Sequence, residues 1–421
     1  MSGGTLARRL GTRDAVVVGL GSMIGAGVFS AFGPAAAAAG GGLLVGLALA
    51  AGVAYCNAAA SAQLAAQYPA SGGTYVYGRE RLGEWWGFAA GFGFVIGKTA
   101  SCAAMALTFA SYAAGGSLWT QRAVGVGAVA VLTSVNYHGI TRTAGLARVL
   151  VALSILALAV VVAAIAAGGG RGGPVQHLPF GDGGAYGVAQ SAGLLFFAFA
   201  GYARIATLGE EVRDPERTIP RAIPLALGIV VVIYAAVGAA VLFGAGSAAL
   251  ASSTAPVVTA LDGAGAAWAS PVARAGAAVA SLGSLLALIA GVGRTALAMG
   301  RNGDLPRWLA SVHERYRVPD HAELALGAAV CVLVLTTDLR GAIGFSSFGV
   351  LAYYAVANAS AFTQTSEHRR WPRAMNVAGL LACVALMATL PWRSALAGAG
   401  VLAAGLAARG LAHRLPPRRP A

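Results

Sequence analysis

Twelve stretches of this chain run for about 20 residues with almost no charge, the length a helix needs to cross a hydrocarbon core of about 30 Å. They cover 14–36, 41–66, 85–114, 122–138, 144–168, 187–209, 219–244, 271–299, 321–337, 340–364, 374–391 and 393–412. A lipid-embedded segment must satisfy its own backbone polar groups, so spans of this length are helices. The expected fold is therefore an all-α integral membrane protein of 12 transmembrane helices. Composition leads the same way: 57% of residues are hydrophobic, 10% are charged, and mean hydropathy is +0.72. No soluble domain of this size has that balance. The opening MSGGTLARRLGTRD leads straight into the first span without a small-residue cleavage site, so that span is expected to stay as a membrane helix.

The net charge of +14 does not indicate nucleic acid, because the arginines fall between apolar spans. Alternate loops share them unequally: 23 of the 28 lie on one side and 5 on the other. Basic loops stay on the cytoplasmic side. Both termini are thus expected in the cytoplasm, at the plasma membrane. An error of one span would scramble this split. The six histidines sit in loops or at span ends, and Cys56, Cys102, Cys331 and Cys383 fit no metal-ligand spacing. No metal and no cofactor is expected; the cysteines read as small buried apolar residues.

Span 1 contains AVVVGLGSMIGAGVFSAFGPAA (15–36), with Gly19, Gly21, Gly25 and Gly27 where a plain helix needs no glycine. A break in a membrane helix is tolerated where it is buried in protein or lines a wet cavity. The expected break runs from Gly21 to Gly25, with a second helix starting near Ala26. Its free N–H groups and positive dipole end suit a carboxylate. The alternative is that the glycines only permit close helix packing. Span 6 repeats the pattern: Phe196-Phe197-Ala198-Phe199-Ala200-Gly201 lies at mid-depth. Spans 1 and 6 each open a block of five, and interrupted helices at matching positions point to an inverted-repeat transporter with its site at the midplane.

Lys98 is the only lysine in the chain and lies deep in span 3. Twelve residues separate it from Trp86, roughly 18 Å of helix at about 1.5 Å per residue. An ionisable group at that depth costs at least ~2.5–3.5 kcal/mol to insert and is a functional candidate by default. Lysine can shed its proton where arginine cannot, which suits proton coupling. The alternative is a static lysine bonded to carbonyls at a helix break. GFVIGKT (93–99) imitates a phosphate loop, but Phe92 stands where the first glycine belongs and the segment is inside a span. Ser281, Ser284, Ser346 and Ser347 either line a cavity or bond between helices. The charged loop GEEVRDPERTIPRAI (209–223) is either a solvated connector or part of an inner gate.

GLGSMIGAGVF, YPASGGTYVYGRERLGEWWGF (68–88), FFAFAGYARIATLGEEVRDPERTIPRAI and GRTALAMGRNGDLPRWL keep an order and spacing that resembles amino acid permeases of the amino acid–polyamine–organocation (APC) superfamily. The resemblance spans about residues 10–370. It implies the LeuT-type fold, a 5+5 inverted repeat plus two C-terminal helices, with helices 1 and 6 broken. The expected divisions are a tail (1–13), a first repeat (14–168), an extracellular loop (169–186), a second repeat (187–364), two accessory helices (365–412) and a tail (413–421). The resemblance further implies alternating access. Backbone groups of Ser22, Met23, Ile24, Gly25, Ala26 and Gly27 would hold a substrate carboxylate. Carbonyls of Phe197, Ala198 and Phe199, beside Gly201, would receive its ammonium. Some proton-coupled relatives carry a lysine on span 5; here span 5 has none, Ser154 lies near that region, and Tyr202-Ala203 stands where many relatives have an aromatic followed by Glu. Coupling through Lys98 is therefore an inference from its depth.

The expected function is a secondary transporter of neutral amino acids, a proton symporter, with an exchanger of amino acids or amines as the alternative. The expected partners are an amino acid, a proton and the lipid bilayer. A membrane enzyme would need a nucleophile–base pair or metal ligands in the spans. There is no G-x-S-x-G, and His313-Glu314-Arg315-Tyr316-Arg317 ends in arginine where a zinc motif needs histidine. A sensor is a weaker reading, because no signalling domain is attached.

Overall fold

The computed structural model describes residues 10–69, 72–115, 117–139, 144–169 and 183–414. The terminal tails before Leu10 and after Arg414, and most of the expected extracellular loop, lie outside the described residues. Among the described residues there are helices, turns and one isolated parallel bridge, Leu10 to Val212, with no strand. Ten helices among the described residues are long and apolar enough to cross a bilayer. Spans 9 and 11 fall on helices Asp320–Thr336 and Arg373–Thr389, of 17 residues each, at the short end of what a bilayer requires. Spans 3, 7, 8 and 10 fall on Glu84–Ala113, Pro215–Ala245, Ser270–Arg301 and Leu339–Phe362.

Hydropathy finds a long span but misses a short apolar helix lying on the protein. Ser247–Ala251 and Pro256–Gly263, between spans 7 and 8, are of that kind. The Tyr112 hydroxyl, at the end of span 3, donates to the Phe29 carbonyl at 2.6 Å and accepts from the Val257 N–H at 3.3 Å. It thereby fastens Pro256–Gly263 over the second half of span 1.

Small residues bring the helices close. A Cβ on Gly97 would sit 3.0 Å from Gly349 Cα, so spans 3 and 10 touch backbone to backbone. That contact gives the glycines of GFVIGKT a packing role. Polar groups join the same bundle: Asn358 donates to the Asn57 amide oxygen at 2.6 Å, and Gln364 donates to that of Gln67 at 2.7 Å.

The approach to span 1 and the loop after span 6 are tied together by backbone. Leu10 N–H donates to Glu211 O at 3.1 Å, and Arg213 N–H donates to Leu10 O at 2.9 Å. The charged loop after span 6 is thus a strap holding the approach to span 1. Asp14, in the first turn of span 1, pairs with Arg148 of span 5 at 2.7 Å.

A second knot of charge joins the loop helix Thr74–Leu82 to the end of span 8 and to span 12. Asp304 accepts from Arg79 at 3.0 Å, from the Tyr75 hydroxyl at 2.6 Å, and from Arg409. Burial first, and the Asp304 bond next, push the Tyr75 hydroxyl above its ordinary range, so it stays a donor. The Asp304 side chain is only 3% exposed. Asp304→Asn should leave Arg79 and the buried Arg409 sharing Glu84 as their carboxylate, at a cost of about 1.5–3 kcal/mol for the lost charged hydrogen bonds. Thermal unfolding in detergent checks this, and an unchanged midpoint would show that the knot holds nothing.

Candidate functional site

Span 1 is interrupted at Ile24–Gly25, with helix Thr12–Met23 on one side and Ala26–Ser30 on the other. The Gly25 N–H turns back onto the Met23 carbonyl at 2.8 Å. The first N–H groups of the following helix have no intrahelical acceptor. The interruption begins later than the expected Gly21. Gly21 is inside the first helix, where an added Cβ would lie 2.8 Å from Val151 of span 5, and Gly19 packs on Ile205. These two glycines serve packing. Gly25 faces Ser284 of span 8 so closely that any Cβ would collide with its hydroxyl.

Span 6 differs from expectation more. Its helix Gly184–Phe199 does not unwind; it tightens into a 3-10 turn, Ala200–Tyr202, and resumes at Ala203–Ala206. Phe199 keeps helical angles, φ −79° and ψ −22°. A 3-10 turn shifts hydrogen bonds from i+4 to i+3 without exposing a run of free groups. The carbonyls of Phe197, Ala198 and Phe199 are therefore within or beside regular helix.

The two segments meet directly. A Cβ on Gly27 would lie 2.7 Å from Ala198 Cα, and one on Gly201 would collide with the Ser22 carbonyl. Met23, Ile24 and Ala26 are buried at this junction. The Ser22 hydroxyl instead bonds back to the Val18 carbonyl at 2.9 Å. Phe199 packs on Tyr234 with ring centroids 5.0 Å apart.

Tyr234, in the middle of span 7, was not singled out by sequence. Its hydroxyl is 2.6 Å from the Met23 carbonyl and 3.1 Å from the Ala198 carbonyl. A hydroxyl has one proton, so Tyr234 bonds one carbonyl at a time and bridges both interruptions. The only signal was a lone polar tip within GIVVVIYAAVG. Tyr234→Phe should cost about 1 kcal/mol, the net contribution of one buried hydrogen bond, because the Met23 carbonyl keeps the Gly25 N–H. Thermal unfolding reads it out, and wild-type stability would show that the bridge is dispensable.

Lys98 reaches the same place from span 3. Its Nζ donates to the Ala200 carbonyl in the 3-10 turn at 3.2 Å, and Tyr354 approaches that carbonyl at 3.5 Å. Near it, Ser101 and Ser346 bond hydroxyl to hydroxyl at 2.6 Å. Ser281 and Ser347 are buried, and neither hydroxyl has a partner among the described residues. The arrangement offers N–H groups from span 1, carbonyls from span 6, one ammonium and several hydroxyls. Among the described residues no cluster of metal-ligating side chains occurs.

The amino acid permease family profile matches residues 10–404. An uncharacterized transporter of Mycobacterium tuberculosis is 59% identical over 417 residues, covering 98% of this chain and 93% of its own length. Cationic amino acid transporter 7, chloroplastic, of Arabidopsis thaliana is 30% identical, covering 94% of this chain and 73% of its own length. A branched-chain amino acid permease of Bacillus subtilis is 26% identical, covering 92% and 89%. The chain belongs to the amino acid permease family of transporters.

Proposed function

We propose that this chain is a secondary active transporter that carries neutral amino acids across the plasma membrane with protons, by alternating access. The proposal includes the LeuT-type arrangement: repeats at 14–168 and 187–364, accessory helices at 365–412, and both termini in the cytoplasm. One observation carries it: residues on both sides of the Ile24–Gly25 interruption pack on Ala198 and Gly201, and Tyr234 reaches a carbonyl of each segment. The helix start after Gly25 gives a carboxylate N–H donors and a positive dipole end. An ammonium takes the Ala198 carbonyl, and the Tyr234 proton then serves Met23 alone. Branched-chain specificity, as the Bacillus subtilis relative's name describes, suits a site built from Met23, Ile24, Phe197 and Phe199 with no acid in either segment.

Lys98 is the proposed proton carrier, its ammonium held by Ala200 in one state and released in another. The same hydrogen bond fits a fixed lysine, which favours exchange of amino acids as the second reading. Uptake of labelled leucine into proteoliposomes under an imposed pH gradient separates them. Symport predicts accumulation that collapses with an uncoupler. Exchange predicts uptake that ignores the uncoupler and requires unlabelled amino acid inside. Failure to move any amino acid contradicts both.

A further inference from the structure

A groove of about 730 Å³ opens between spans 3 and 12 and the segment after span 8. Neither of the two interrupted spans lines it. Its long wall is apolar, made by Phe88, Phe92, Val401 and Ala404, and one end carries Arg307 and Arg409. Charge at that end is unbalanced among the described residues: Asp304 and Glu84 pair with Arg79 and Arg409, and Arg307 adds a third positive charge with no carboxylate partner.

Arg409 is 6% exposed. Its two terminal nitrogens go to Asp304 and Glu84, while its Nε finds no acceptor among the described residues. Its guanidinium lies over the rings of Trp85 at 5.2 Å and Phe88 at 4.9 Å. Arg307 is exposed and has no carboxylate partner among the described residues. Trp85 and Trp86, both exposed beside this end, mark the depth of a membrane interface.

We propose that this groove binds an anionic phospholipid. Its phosphate lies against the Arg307–Arg409 end, and an acyl chain runs along Phe92, Val401 and Ala404. Surplus positive charge at headgroup depth attracts the phosphate, as basic pockets between transmembrane helices do. The apolar wall supplies what a free anion could not use. Such a lipid braces span 12 against span 3, independently of the transport site.

Native mass spectrometry of the full-length protein, with added phosphatidylglycerol, phosphatidylethanolamine or glycerol phosphate, tests this. Phosphatidylglycerol should be retained about fivefold better than phosphatidylethanolamine, the effect of one extra basic contact. Arg307→Gln should remove about that factor, and Ala404→Trp should reduce retention by filling the groove. Arg217→Gln, at an exposed arginine elsewhere, should leave it unchanged. Equal retention of the two lipids would overturn the proposal. So would wild-type retention in both groove variants, an equal loss in Arg217→Gln, or competition by glycerol phosphate alone.

Discussion

Gly25→Leu is expected to weaken amino acid binding by about 100-fold or more, roughly 2.8 kcal/mol at about 1.4 kcal/mol per decade. The Gly25 backbone is at φ −123°, so the loss would not come from a left-handed strain. It would come from space: a Cβ here meets the Ser284 hydroxyl, and the rest of a leucine must force span 1 and span 8 apart. Serine can rotate, so Gly25→Ala should lose much less. The comparison therefore separates a filled site from a merely disturbed helix. Titration calorimetry on the three proteins, with whichever amino acid binds the wild type, gives the answer. Wild-type affinity in Gly25→Leu would remove the carboxylate site.

Lys98→Ala should abolish proton-driven accumulation while sparing much of the binding. The lost hydrogen bond to Ala200 and the space left by the side chain carry a stability cost of about 1–3 kcal/mol. A milder variant therefore has to accompany it. Lys98→Arg keeps a donor and a charge but cannot release its proton. If the lysine is only a brace, arginine should restore uptake. If it carries the proton, arginine should bind substrate and still fail to accumulate it. Full pH-dependent uptake in Lys98→Ala would end the coupling assignment.

Hydropathy placed the spans within a few residues because lipid reads composition directly: span 3 was expected at 85–114 and is Glu84–Ala113. The place of Lys98 along its helix and its burial were legible for the same reason, as distance along a helix is arithmetic. What it bonds was not, since Ala200 is 102 residues away. Glycine was ambiguous for a physical reason. The absence of a side chain permits both a break and a close approach, and only the partner tells them apart. Gly21 meets Val151 and packs, whereas Gly25 meets Ser284 at a true interruption. Tyr234 stayed hidden because its chemistry depends on a carbonyl 211 residues earlier. The aromatic run in span 6 suggested unwinding, but a 3-10 turn satisfies the backbone at less cost.

The central claim is that facing peptide groups of spans 1 and 6 grip both ends of a zwitterion. Competition binding with blocked analogues of the bound amino acid tests it most directly. If the claim holds, the N-acetyl derivative and the carboxamide should each compete at least about 100-fold more weakly than the free amino acid. Equal competition by either one would contradict it.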